Sequence, residues 1–247
     1  MTATLTETTI EPLNGREYWD ELRLFAKTFS DMQSHRIQTA NRLGAASSLP
    51  AQLTIILDSL VKNEKAAALV MRKCFRRSGF VPFVKETVGV GEHLMALLLG
   101  YLGDPYVATP AYWAEDPTGK EKRILMYEPP RARSVSQLWA YCGHGKPMKR
   151  TKGMSQEDAF AMGNAQLKVI VYLISTCFVK QKPAEGEEAP YYRAIYDERR
   201  MDTADRVDAA GKKWTDGHSH ADALRITGKE FLRDLWIEAR SLHGVTD

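Results

Sequence analysis

The amino-acid sequence predicts a mainly α-helical fold, and three observations carry that prediction. Apolar residues recur at a 4-3 spacing over long stretches. Strand-like alternation is scarce. Glycine, proline and serine punctuate the periodic segments where helices start and stop. The expected architecture is a long, coiled-coil-like helical hairpin over residues 16–79. A helical domain over residues 80–247 follows, with a helix-hairpin-helix near 83–103.

Residues 1–15 are Thr-rich and end in Pro12-Leu13-Asn14-Gly15, which predicts a disordered tail. Residues 16–43 carry the first helix. Tyr18, Leu22, Phe25, Phe29, Met32, Arg36, Thr39 and Leu43 fall on one seam that becomes polar toward its end. Gly44 stops it, and Ser47-Ser48-Leu49-Pro50 forms a loop with Pro at a first helical position. Residues 50–77 repeat the spacing through Leu53, Leu57, Leu60, Glu64, Ala67, Met71 and Cys74. Two long helices and a short loop imply an antiparallel hairpin, packed within the chain or serving as a dimer seam.

Residues 104–133, with five prolines and several aromatics, read as irregular, with a short strand in Arg123–Tyr127. Residues 134–142 form a short helix capped by Ser134 and ended by Gly143. Residues 144–155 form a basic loop, and 156–180 a helix with a broad apolar face. The segment 183–190 is an exposed loop. Helices follow over 191–210 and 219–243, the last burying Leu224, Phe231, Leu232, Leu235, Trp236, Ala239 and Leu242.

A chain of 247 residues with 44% hydrophobic and 26% charged residues can build a core unaided. Cys74, Cys142 and Cys177 are odd in number and widely spaced, which argues against a disulfide scaffold. The apolar runs near 94–99 and 169–179 fall well short of the roughly 18–20 residues that span a bilayer. With no signal-peptide pattern at the start, the expectation is a soluble, cytoplasmic protein without a membrane partner.

The net charge is +3, but its distribution is uneven. Residues 72–152 hold fourteen basic and seven acidic residues, whereas 183–247 hold ten basic and fourteen acidic. A positive middle segment suits phosphate binding, although solvated helix faces use the same residues. Arg72, Lys73, Arg76 and Arg77 close the second helix, where they also suit the helix dipole. Next comes Thr87-Val88-Gly89-Val90-Gly91-Glu92-His93, the hydrophobic-Gly-hydrophobic-Gly pattern of a helix-hairpin-helix. Gly89 and Gly91 would let backbone N–H groups approach a phosphate. Lys146, Lys149, Arg150 and Lys152 crowd a Gly/Pro loop, and Asn164 and Lys168 lie within the helix after it.

Other chemistries find less support. No GxGxxG or GKS/T marks a nucleotide loop, and no GxSxG marks a hydrolase. Asp216, His218, His220 and Asp222 lack the further ligands of a closed metal site and read as helix-start residues. No cofactor or small-molecule substrate is expected. Tyr112 and Trp113 suit base stacking but are expected to anchor their loop to the core.

Three segments in order, Val88–Gly103, Ser136–Gly143 and Met162–Lys168, resemble the C-terminal half of the Piv-type DNA invertases. They resemble equally the related DEDD-type insertion-sequence transposases, the bridge recombinases. That family shows a "GIG…A…LLAEIGD" hairpin, an "L.AY.GL" segment and a "K.GN..LR" helix, then a Tyr and a helical tail, matched here by Tyr191-Tyr192 and the last helices. The resemblance covers about residues 50–240. It implies nucleic-acid binding, DNA or RNA, and self-association through the helical hairpin as a homodimer or higher oligomer. It also marks departures. The family's RuvC-like acidic domain has no counterpart before the first helix. Lys152 stands where the family's nucleophilic Ser is expected, with Thr151 and Ser155 out of register, and Lys168 replaces the helix Arg. The implied protein is a non-catalytic binding scaffold from a mobile element or phage. The alternatives are a recombinase subunit using Ser155 with an acidic partner chain, or an assembly protein that binds no nucleic acid.

Overall fold

The computed structural model describes residues 10–44, 51–109, 111–115, 117–119, 124–145, 151–155, 158 and 162–245. Most of the expected tail and the Ser47–Pro50 loop lie outside these. So do Lys146, Lys149, Arg150 and most of 156–161.

Helix α1 spans Gly15–Gly44 and α2 spans Ala51–Phe75. The seam spacing holds on both. Tyr18, Leu22, Phe29 and Leu43 are buried, and Leu53, Leu57, Leu60, Glu64 and Ala67 are half-buried ahead of buried Met71 and Cys74. Ion pairs Arg36–Glu64 and Arg77–Glu21 fix the antiparallel order. Only the half of the hairpin near Phe29 and Met71 enters the core, while Ile37, Ile55 and Ile56 toward the tip are exposed.

Helix α3 (Val81–Glu86) and α4 (Glu92–Leu102) come next. Met95 to Gly100 is buried without a break, because α1, α2 and a later helix all pack on α4. Gly100 permits the closest of these approaches. A methyl there would stand 2.5 Å from Cβ of Ala26, so only glycine fits the crossing.

Residues 104–133 are more regular than expected. Strand β1 (Val107–Ala108) pairs antiparallel with β4 (Arg131–Ala132), and β2 (Ala111–Ala114) pairs with β3 (Ile124–Tyr127). The registers, Val107 opposite Ala132 and Ala111 opposite Tyr127, make one ribbon in two pieces. The prolines masked it because Pro129 and Pro130 sit between the paired segments, where no ladder bond is broken. Tyr112 is exposed rather than anchored in the core.

Helix α5 (Val135–Tyr141) starts on the expected cap, Ser134, which forms a capping box with Gln137. Helix α6 runs Ala165–Val179, α7 Tyr191–Asp202 and α8 Asp216–Leu242. Three boundaries differ from expectation. Helix α6 starts at a cap, Asn164, rather than before it. Helix α7 stops at Thr203, whose hydroxyl bonds back to Arg199 O at 2.9 Å. Helix α8 starts earlier, on a Thr215 capping box with His218. One core runs from Tyr18 on α1 through α4 and α6 to Ala239 on α8. The start of the chain joins it as well: Ile10 and Leu13 pack on this core, so residues 10–14 are not a free tail. Among the described residues no helix is long and apolar enough to cross a membrane.

Candidate nucleic-acid interface

The expected binding residues fall at two places. The first is the junction of α2, α3 and α4. Helix α3, the glycine turn and α4 form a helix, tight turn and helix, as the motif predicts. Its two glycines have different roles. Gly89 takes φ +101, and a methyl there would stand 2.9 Å from both Phe178 Cδ1 and Gln181 Cγ. Gly89 therefore makes a close fit against the end of α6 that a side chain would break. Gly91 is the N-cap of α4, has open space around its Cα and leaves the helix end without a side-chain cap. Unpaired N–H groups and the positive end of the helix dipole point outward there.

The basic end of α2 is partly spent. Arg76 makes a fork on the Glu92 carboxylate, with Nε 3.0 Å from each oxygen and Nη2 2.8 Å from Oε2. Arg77 bonds Cys74 Sγ and Glu21, and these bonds push its pKa up. Arg72 leans back on Ala68 O at 3.4 Å. Lys73 is exposed and makes no ion pair among the described residues. Of the four cations expected to act together, Arg76 and Arg77 are paired with carboxylates and Arg72 and Lys73 make no ion pair among the described residues, while Glu92 places a carboxylate in the first turn of α4. His93 stands beside them, edge-on to Phe29 at 4.7 Å, its pKa lowered by burial and then by Arg72.

The second place is the neck of the basic loop. The chain leaves α5 at Gly143 and returns at Gly163-Asn164, and the two ends are bonded together. Asn164 N–H donates to Tyr141 O at 2.8 Å, and His144 N–H donates to Trp139 O at 2.8 Å. Gly163 takes φ +76, and a methyl there would stand 2.2 Å from Ala140 O, so the pinch requires glycine. Asn164 Oδ1 accepts from the N–H groups of Gln166 and Leu167 at 2.9 and 3.2 Å. The Gly-Asn pair that looked costly inside a helix is the start of one, and the Asn164 oxygen caps it.

His144 lies buried at this neck, and neither ring nitrogen has a hydrogen-bond partner among the described residues. Its pKa is pulled down to about 4, first by burial and then by the positive charges of Lys168, Arg225 and Lys229. Three cations from α6 and α8 therefore gather where the basic loop is rooted. Lys168 is exposed and its stem runs beside Gly143, where a methyl would stand 3.1 Å from its Cβ. Lys229 Nζ sits 3.8 Å from the centre of the Trp139 ring. Burial and then Arg225 lower its pKa. Arg225 bonds Asp222 at 2.7 Å. Sequence reasoning missed Arg225 and Lys229, because they lie in the acidic last quarter of the chain. Their helix-like i, i+4 spacing, four residues apart, was the available signal.

Lys152 at the far side of the loop is exposed. Ser155 is engaged locally: its hydroxyl donates to Asp158 Oδ2 at 2.7 Å and accepts from Asp158 N–H at 3.0 Å. The residues weighed as metal ligands are dispersed among other tasks. His218 caps α8, and His220 Nδ1 is 2.7 Å from Tyr196 OH. Asp222 bonds Arg199 and Arg225, whose hydrogen bonds lower its pKa despite the opposing effect of burial. Comparison with protein-family models, with curated proteins and with solved structures gives no match.

Proposed function

We propose that this chain binds the backbone of nucleic acid, DNA or RNA, as a non-catalytic relative of the insertion-sequence transposases. The observation that carries the reading is the gathering of Lys168 and Lys229, with the Asp222-paired Arg225 beside them, at the root of a segment that itself bears Lys146, Lys149, Arg150 and Lys152. Over residues 129–184 nine basic residues face two acidic ones, so a phosphate meets little repulsion along this stretch. The start of α4 at Gly91, which has no side-chain cap, supplies a second contact of the same kind. Both contacts read charge and backbone, so binding is strong at low salt and weakly sequence-dependent. Lys152 in the expected place of the nucleophile, and the engagement of the Ser155 hydroxyl by Asp158, favour binding without strand cleavage.

Equilibrium binding of the full chain to labelled duplex DNA, single-stranded DNA and structured RNA tests this. The control variant is Lys149→Ala/Arg150→Ala/Lys152→Ala. Binding that weakens at least tenfold in the variant supports the reading, and no binding at low salt removes it.

Self-association is a second reading, favoured by the exposed Ile37, Ile55 and Ile56 near the hairpin tip. It predicts a dimer mass by light scattering that Ile55→Glu/Ile56→Glu reduces to a monomer.

A further inference from the structure

Helix α6 presents an exposed stripe that its role in the core does not use. Val169, Tyr172 and Leu173 are 52%, 51% and 41% exposed, while Leu167, Ile170, Val171 and Ile174 between them are buried. The stripe begins at Lys168. At i, i+4 spacing, Lys168 and Tyr172 share one helix face, with Cβ atoms about 5–6 Å apart. Val169, at i−3 to Tyr172, shares that face, and Leu173, at i+4 to Val169, extends the exposed aliphatic surface.

Charge says what covers this face. Its N-terminal end is the neck of the basic loop, with Tyr141 exposed beside it and bonded through its carbonyl to Asn164. From Ala159 to Ala184 the chain contains no Asp or Glu. A purely apolar partner would leave Lys168 desolvated and unpaired at the edge of the contact, at a cost. A single-stranded nucleic acid satisfies both parts. Its phosphates pair with the cations, and its bases, released from pairing, present aromatic faces to the ring. A duplex can satisfy only the cationic part, because its bases are already stacked.

We infer that the exposed face of α6 is a stacking platform for single-stranded nucleic acid, with a base on Tyr172 and the adjoining phosphate at Lys168. The inference rests on the nucleic-acid reading above and specifies the ligand at that same site.

The test compares a labelled 20-nucleotide oligothymidine and a 20-base-pair duplex as ligands of the full chain. The proteins are wild type, Tyr172→Ala, Tyr172→Phe and Tyr191→Ala. Tyr191 is a second exposed tyrosine, on another helix. The expected result is a roughly tenfold loss of single-strand affinity in Tyr172→Ala, with Tyr172→Phe and Tyr191→Ala near wild type. Duplex affinity stays unchanged throughout. A strand carrying 2-aminopurine should be quenched by wild type and not by Tyr172→Ala. Equal single-strand affinity of wild type and Tyr172→Ala overturns the platform while leaving backbone binding intact. A lower oligomeric mass in Tyr172→Ala with unchanged affinity also overturns it, since the stripe would then be a protein contact. Failure of wild type to bind either ligand removes the nucleic-acid reading itself.

Discussion

Nε2 of His243 lies 2.8 Å from Oδ2 of Asp104, joining the end of α8 to the turn that follows α4. The same oxygen accepts the Leu13 N–H at 2.8 Å, and the other accepts from Tyr106 and Val107 at 2.8 and 3.1 Å. One buried carboxylate thus ties together the N-terminal segment, the α4 exit, the start of the ribbon and the last helix. Arg133, buried nearby, donates to the carbonyls of Asp104 and Val107 at 2.9 and 2.8 Å and closes the base of the ribbon.

Asp104→Ala leaves these donors without their acceptor. Each such loss costs about 1–3 kcal/mol. The urea midpoint should drop accordingly, and the amides of Leu13, Tyr106 and Val107 should exchange faster than in wild type. A variant with a wild-type midpoint would show that the carboxylate is not a structural tie.

The glycines of the two candidate contacts should separate by stability. Gly163→Ala forces a methyl against Ala140 O at a positive φ and should cost more than about 2 kcal/mol. Gly91→Ala meets open space at an extended φ and should cost about 1 kcal/mol or less. Similar midpoints for the two variants would contradict the geometry at the neck.

Much of this was legible in the sequence, for identifiable reasons. The hairpin was readable because Leu22, Phe29, Met71 and Cys74 keep one period through to the core. Helix α5 was readable because Ser134 and Gln137 stand at capping-box spacing. The start of α6 was not, because a Gly-Asn pair before an apolar run reads equally as a flaw in a longer helix. Only the bond from Asn164 N–H to Tyr141 O decides it. The ribbon was hidden because its pairing is tertiary and its strands are two to four residues long. In the site, charge density was visible but charge pairing was not. Nothing local says that Arg76 meets Glu92, or that Arg225 and Lys229 come to His144 from the far end of the chain.

The fold should weaken as pH falls from 6.5 toward 4. His144 has a folded pKa of about 4 against an ordinary 6.5, so the unfolded chain takes up the proton first. The stability is fully present above pH 6.5 and is lost as pH falls through that interval, by roughly 3 kcal/mol in total. His93, lowered by burial, adds in the same sense. Thermal midpoints should fall across the interval, and His144→Leu should flatten the fall. An unchanged pH slope in that variant would refute the assignment.

Glu92→Gln should strengthen nucleic-acid binding. The change removes a carboxylate from the first turn of α4 and frees Arg76 for phosphate. An affinity gain of about threefold at low salt is expected, with the salt slope steepened by about one phosphate contact. Unchanged affinity would place the interface away from this junction.

The most direct test of the central claim is the slope of log affinity against log salt for the full chain and a single strand. Wild type should bind with a steep slope, and Lys149→Ala/Arg150→Ala/Lys152→Ala should flatten it by about two units, three contacts at roughly 0.7 each. A slope that the triple variant leaves unchanged, or no binding at the lowest salt, would contradict nucleic-acid binding at the basic loop.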